Sequence, residues 1–249
     1  MNSTGPPATA ESPQRGIRSY VLRAGRLTRA QERALAELWP RFGIAAAETD
    51  TEQLDLDTVF GRQAPRILEI GIGNGAALTS MAAQDPEQDY LGAEVHAPGV
   101  GHCLLEIERL GLSNVRLLME DAVGVLRRRL PDASLAGLHL YFPDPWHKKR
   151  HHKRRLVQAP FVDLLARKLA DGGYFHVATD WPPYAEHIAT VLDASGHFDA
   201  GVDPASSSTR PLTRFEARGQ RLGHPIWERI YRRRQGSGQV YPSGGKCAI

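Results

Sequence analysis

The chain has 249 residues, 24% charged and 41% hydrophobic, with 24 glycines and 17 prolines. Those proportions suit one large α/β domain and exclude a disordered, collagen-like or disulfide-scaffold chain. The net charge is only +3, yet His147–Arg155 (HKKRHHKRR) carries +6 by itself, so the rest of the chain nets −3.

No apolar run approaches the roughly 18–20 residues of a membrane span. The first twenty residues hold no apolar stretch of signal-peptide type. Two distant cysteines, Cys103 and Cys247, show no metal-like spacing and fit a reducing cytoplasm. Met1–Gln14 and Gln235–Ile249 are too rich in Pro, Ser, Thr, Ala and Gly to be expected to fold, which leaves 15–234 as one domain. A helix is expected over Thr28–Leu38, opened by Thr28 and Gln31 at capping-box spacing.

From Arg66 the pattern alternates. Strands are expected at Arg66–Ile70, Asp89–Glu94, Val115–Met119, Leu138–Phe142 and Tyr174–Ala178. Helices are expected between them at Gly75–Gln84, Gly99–Leu110, Ala122–Leu130 and Val157–Leu169, and after them at Tyr184–Ala194. Ile226–Arg234 alternates at period two and reads as a last, antiparallel strand. Short apolar strands separated by amphipathic helices give a doubly wound, mostly parallel sheet covered on both faces.

Glu69-Ile70-Gly71-Ile72-Gly73-Asn74-Gly75-Ala76 follows the first strand of this series. Glycines at a strand-to-helix turn let the backbone approach a ligand and aim a helix N-terminus at it. Gly71, Gly73 and Ala76 satisfy a dinucleotide fingerprint, whose ribose acid would be Glu94. The same residues satisfy the acid-x-Gly-x-Gly-x-Gly turn of S-adenosylmethionine (SAM) enzymes. The glycines alone leave both open.

Three acids separate the two. Glu69 lies inside its strand, where a carboxylate meets the amino-acid end of SAM. Glu94 offers two oxygens to a ribose diol, and Asp121 closes the next strand where an acid accepts an adenine amino group. Each sits at the carboxyl end of a successive strand, the ligand-binding end of open α/β sheets. Taken singly, Glu94 is a loop acid and Asp121 a helix N-cap. Taken together they favour SAM over a nicotinamide dinucleotide.

The stretch Tyr141-Phe142-Pro143-Asp144-Pro145-Trp146-His147-Lys148 ends the fourth strand of the series and places Asp144 in a proline-stiffened turn. The cations after it suit phosphate. His147 and His151 are four apart but lack a Glu or Cys partner, so no metal is expected. Thr213 and Glu216 form a second capping-box pair, and Asp180 ends the fifth strand. His96, His139, His176, His187, His197 and His224 carry no pairing visible in the sequence and are read as packing, as are Trp39 and Trp227.

These residues resemble the bacterial tRNA (guanine-N7)-methyltransferase family over about Arg18 to Arg232, most specifically in Pro143–Lys148 and Thr213–Glu216. The resemblance implies a seven-stranded methyltransferase sheet, and methylation of N7 of a variable-loop guanine, position 46, in tRNA. It implies SAM contacts at Glu69, Gly71, Gly73, Gly75, Glu94, Asp121 and Asp144, with Asp144 also the active-site acid. It places substrate contacts at Lys148, Asp180, Thr213, Arg214, Phe215 and Glu216, and RNA contacts at Arg150, His151, His152, Lys153, Arg154 and Arg155. Ile72 stands where an aromatic is expected. A cytoplasmic monomer or homodimer is expected, with tRNA as its partner. Two rivals stand beside this reading: a catalytically inactive RNA-binding protein on the same sheet, and a nicotinamide-dependent oxidoreductase.

Overall fold

The computed structural model describes residues 19–20, 25–46, 53–204 and 225–235. Seven strands form one sheet: β1 (Gly43–Ile44), β2 (Arg66–Ile70), β3 (Asp89–Ala93), β4 (Val115–Leu118), β5 (Leu135–Tyr141), β6 (Leu169–Thr179) and β7 (Trp227–Arg232). Their order is β1-β4-β3-β2-β5-β6-β7, all parallel except β7, which runs antiparallel to β6 from Tyr174↔Arg232 to Thr179↔Trp227. The expected fold class and the antiparallel last strand are both present.

Strand alternation decides which helices go where. Leu68, Leu91, Leu118 and Leu138 point into one apolar layer, shared with α6 (Ala122–Gly124), α7 (Ala159–Lys168) and α8 (Pro182–Ala194). Ile67, Tyr90, Val115 and Leu117 point into the other, under α1 (Arg29–Glu37), α2 (Trp39–Phe42), α4 (Ala76–Gln84) and α5 (Ala97–Leu110). The short α3 (Leu56–Phe60) buries Leu56 in the first layer. The capping box holds as expected: Gln31 N donates to Thr28 Oγ1 at 3.3 Å and Thr28 N to Gln31 Oε1 at 2.9 Å.

Three local differences from the expectation have physical reasons. β1 is two residues long, too short to show a period. The expected helix Ala122–Leu130 widens after one turn into a π-turn over Val125–Arg129, which turns Arg129 inward to pair with Glu120. The basic run is a 3₁₀ helix over Lys149–Arg154. The expected tail at 1–14 lies outside the described residues, as does all of the expected tail at 235–249 except Gln235. No described helix is long and apolar enough to cross a membrane.

The order of strands reverses at β2, with β3 and β4 on one side and β5 to β7 on the other. Such a switch point opens a crevice beyond the carboxyl ends of the strands. It is where the chemistry-bearing residues collect.

Candidate active site

A cleft of about 710 Å³ occupies that crevice, lined along β2 to β5 by Glu69, the Gly71–Asn74 turn, Glu94, Asp121 and the Tyr141–Asp144 segment. The turn holds left-handed φ at Gly71 (72°), Gly73 (57°) and Gly75 (80°). Gly71 and Gly73 face open space. At Gly75 a Cβ would overlap Cys103 Sγ on α5, so this glycine is required by packing as well as by its backbone. Burial pushes the Cys103 thiol well up, so it is an inert packing group. Gly99, at the start of α5, must also be small: a Cβ there would overlap the carbonyl oxygen of Gly73.

Glu94 is preorganised by backbone donors. Its Oε2 accepts from Gly73 N at 3.0 Å, and its Oε1 from Val95 N at 2.7 Å and His96 N at 3.0 Å. A carboxylate has about four lone-pair positions, so capacity remains on Oε2 for a ribose hydroxyl. Glu69 is 3% exposed at the floor of the cleft. Asp121 has both readings at once: it caps α6, accepting from Gly124 N at 3.2 Å, and it lines the cleft. Its neighbour Glu120, paired with the buried Arg129, lines the cleft too, and no sequence signal singled it out.

The donor set fits SAM. Five carboxylates (Glu69, Glu94, Glu120, Asp121, Asp144) line the cleft, and no Lys or Arg does among the described residues. A dinucleotide pyrophosphate would enter that lining unpaired, whereas an ammonium, a sulfonium and a ribose diol are matched by it. The expected SAM contacts Glu69, Gly71, Gly73, Glu94, Asp121 and Asp144 are thus brought together. Gly75 sits behind the turn, against α5.

β5 ends in a strained loop. Phe142 and Trp146, both aromatic, adopt left-handed φ of 51° and 47° on either side of Pro143-Asp144-Pro145. Such conformations cost about 1–3 kcal/mol each and persist only where the surroundings over-determine them. Here they turn the chain twice and leave Asp144 exposed at the cleft mouth. Phe142 N donates to Ala178 O at 2.8 Å, and the Trp146 indole to Ser19 O at 3.1 Å.

The 3₁₀ helix sorts the basic run by its period of three. Arg150 and Lys153 share the outward column, exposed like Lys148 and Lys149. His151 and Arg154 share the column facing Trp146, with the Arg154 guanidinium 3.9 Å over the indole ring and donating to Tyr20 O at 3.3 Å. Partial burial, then the surrounding Arg150, Arg154, Lys148 and Lys153, hold the His151 imidazole below its usual range.

Arg155 departs from the expected surface run. It is 4% exposed, and donates from Nε to Pro145 O at 3.0 Å and from Nη1 to Pro183 O at 3.4 Å. Its guanidinium stacks 4.9 Å over the buried Tyr184 ring, and Nη2 meets His152 Nε2 at 3.2 Å. The structure places it under the acceptor loop, away from solvent.

Asp180 follows β6 and Lys148 precedes the 3₁₀ helix; both border the strained loop without lining the cleft. Between them His147 packs edge-on to Trp181, ring centroids 4.2 Å apart. Thr213, Arg214, Phe215 and Glu216, and His224, lie outside the described residues. No group of three or more metal-ligating side chains occurs among the described residues. Two histidines read as packing prove to be hydrogen-bonded within the sheet: His139 Nε2 meets Tyr174 Oη at 3.0 Å, and His176 Nδ1 meets Tyr141 Oη at 2.9 Å. These pairs depend on the register of β6 on β5, which the sequence pattern does not show.

Comparison with known proteins gives a consistent result. A family model described as "Putative methyltransferase" matches residues 63–229. A tRNA (guanine-N(7)-)-methyltransferase of Chromohalobacter salexigens is 50% identical over 241 residues, covering 93% of this chain and 97% of that one. One from Thiobacillus denitrificans is 56% identical over 220 residues, covering 88% and 96%. Among solved structures, the 16S rRNA methyltransferase KamB superposes with a TM-score of 0.55 at 14% identity, over 74% of this chain and 95% of that one. That last likeness speaks to the fold alone.

Proposed function

The chain belongs to the tRNA (guanine-N7)-methyltransferase family, and from that premise we propose how its residues methylate a tRNA guanine. The product is N7-methylguanosine in the variable loop, at position 46. The observation that carries the reading is the pairing of an all-carboxylate cofactor cleft with an exposed cationic helix, joined by the loop that presents Asp144.

SAM, when bound, supplies an electrophilic methyl on a sulfonium. Guanine N7 has an in-plane lone pair and no proton, so no base is needed to make the nucleophile. The protein's work is positioning and electrostatics. Glu94 holds the ribose diol, Asp121 the adenine amine, and Glu69 the amino-acid end. Asp144, at the mouth, would accept from the N–H edge of the guanine or from the cofactor amine and so position N7 for transfer. Lys148, Asp180 and the 213–216 segment complete the substrate contacts.

The base must leave its stack to reach this cleft. Arg150, Lys153 and the half-buried His151, His152 and Arg154 hold phosphates beside it, while Arg155 acts from below. The protein works in the cytoplasm as a 15–234 catalytic domain. Nucleoside analysis of tRNA incubated with the protein and SAM tests the reading. N7-methylguanosine at position 46 supports it, and tRNA binding without any methylated product makes the chain an inactive RNA-binding protein.

A further inference from the structure

Behind the cleft wall a chain of hydrogen bonds crosses three strands. Tyr141 ends β5 and lines the cleft. Its hydroxyl meets His176 Nδ1 on β6 at 2.9 Å, with the two rings edge-to-face at 5.1 Å. His176 Nε2 meets Glu228 Oε1 on β7 at 2.6 Å. His176, at the centre of this chain, is 4% exposed.

The chemistry fixes its direction. A carboxylate only accepts, so Glu228 sets the proton on Nε2. In the neutral imidazole Nδ1 is then the acceptor, and the Tyr141 hydroxyl donates to it. The tyrosine ring is thereby held in one rotamer by a partner on the next strand, itself oriented by Glu228 two strands away.

What that rotamer holds is the next residue. Phe142 begins the strained turn that carries Asp144, and a non-glycine residue in left-handed φ needs fixed neighbours on both sides. The far side is fixed by the Trp146 indole on Ser19 O and by Arg155 on Pro145 O. On the near side Phe142 N bonds to Ala178 O, and the preceding residue is tied to the neighbouring strand through its hydroxyl on His176. Packing alone would be served as well by Phe, Leu and Val at these three positions, since a buried polar chain confers uniqueness of arrangement more than stability.

We propose that Tyr141, His176 and Glu228 are positioning residues: one hydrogen-bonded anchor that holds the Phe142–Trp146 loop, and with it Asp144, in the geometry for methyl transfer. The proposal rests on the methyltransferase reading above, and its test is arranged to separate the two.

Tyr141→Phe, Glu228→Ala and Glu228→Gln are compared with the wild type by calorimetric SAM binding, by turnover at saturating SAM and tRNA, and by hydrogen exchange of the peptide spanning Phe142–His147. The expected result is a tenfold or greater loss of kcat per SAM-binding site in Tyr141→Phe and Glu228→Ala, with SAM affinity within about twofold. Loop exchange should quicken in the same two variants. Glu228→Gln should recover both, because a carboxamide oxygen still accepts from Nε2–H. A role in folding alone would instead lower the fraction of SAM-binding sites and leave kcat per site unchanged. Unchanged loop exchange in Tyr141→Phe overturns the anchor, whether or not the wild type makes N7-methylguanosine. A wild type that makes none overturns the methyltransferase reading while the exchange result still decides the anchor.

Discussion

Arg155 donates from its buried guanidinium to the carbonyl of Pro145 at 3.0 Å, bridging the base of the loop on which Asp144 stands. One residue of a nine-residue cationic stretch is thus spent on the protein's own backbone. Arg155→Lys keeps the charge but loses the planar fork and the stacking on Tyr184. The expected outcome is a loss of about 1–3 kcal/mol of stability, from the weakened hydrogen bonds to the Pro145 and Pro183 carbonyls and the lost packing of the buried guanidinium. Turnover should fall while the salt dependence of tRNA binding stays put. Thermal unfolding and filter binding across a salt series read the two effects separately.

The outward column makes the opposite prediction. Phosphate contacts release counterions, with a log–log salt slope of about −0.9 per contact on duplex and −0.7 on single strands. If Arg150 and Lys153 both grip phosphate, changing them together to Ala should make the slope shallower by about 1.4–1.8. SAM affinity should not move. A slope change below about half a unit returns the column to a solvated surface, since charges beyond about 10 Å are screened at 0.1 M salt.

Sequence reasoning was strongest where the chain repeats a pattern and weakest where three-dimensional context sets a single residue's role. Glu69, Glu94 and Asp121 were legible because each ends a strand of a regular alternation, and their convergence follows from parallel registry. Arg155 was not, because the run's division into exposed and buried columns depends on a 3₁₀ period that a dense row of cations conceals. Nor was Glu120, whose pairing with Arg129 arises from a π-turn. β1 carries two residues and no period at all. The Tyr141–His176–Glu228 chain was not legible either, because it takes the register of β6 on β5 and the antiparallel register of β7 to bring the three side chains together.

Glu94 is held by three backbone N–H groups before any ligand arrives. Glu94→Ala therefore removes the diol acceptor and also frees the Gly73 amide. Charge-assisted hydrogen bonds contribute roughly 1.5–3 kcal/mol each, so SAM affinity should fall at least about tenfold. Cofactor-free tRNA binding should barely change. A calorimetric titration matching the wild type would remove Glu94 from the cofactor site.

Asp144 separates positioning from base catalysis. Asp144→Ala should nearly abolish turnover at saturating substrates in a folded protein, because the interaction lost is one made in the transition state. Asp144→Asn should retain part of it, since an amide oxygen still accepts hydrogen bonds. A wild-type rate that climbs along a carboxyl titration, together with a dead Asp144→Asn, would assign the proton to Asp144 instead.

His151 gives the pH dependence of binding. Burial and four neighbouring cations hold its free-state pKa below the usual histidine value, and phosphates of a bound tRNA act the other way. Binding should therefore take up a proton in the pH window between the lowered free-state value and the raised bound-state one, with affinity rising as pH falls through that window. Calorimetry in buffers of different ionisation enthalpy reads the uptake, which His151→Asn should abolish.

The two borders of the sheet bear on how copies of this protein behave side by side. One border is β1, only two residues long. The other, β7, is overlaid by bridges from Phe198 to Arg233 and from Val202 to Ile230, with Val202 N and Ile230 N each bonded to the other's carbonyl at 3.0 and 2.9 Å. Unpaired strand borders invite edge-to-edge pairing and aggregation, and short or covered ones resist it. A polyanion long enough to attract several basic molecules concentrates them on one another. Borders like these let such crowding happen without the sheets zipping together.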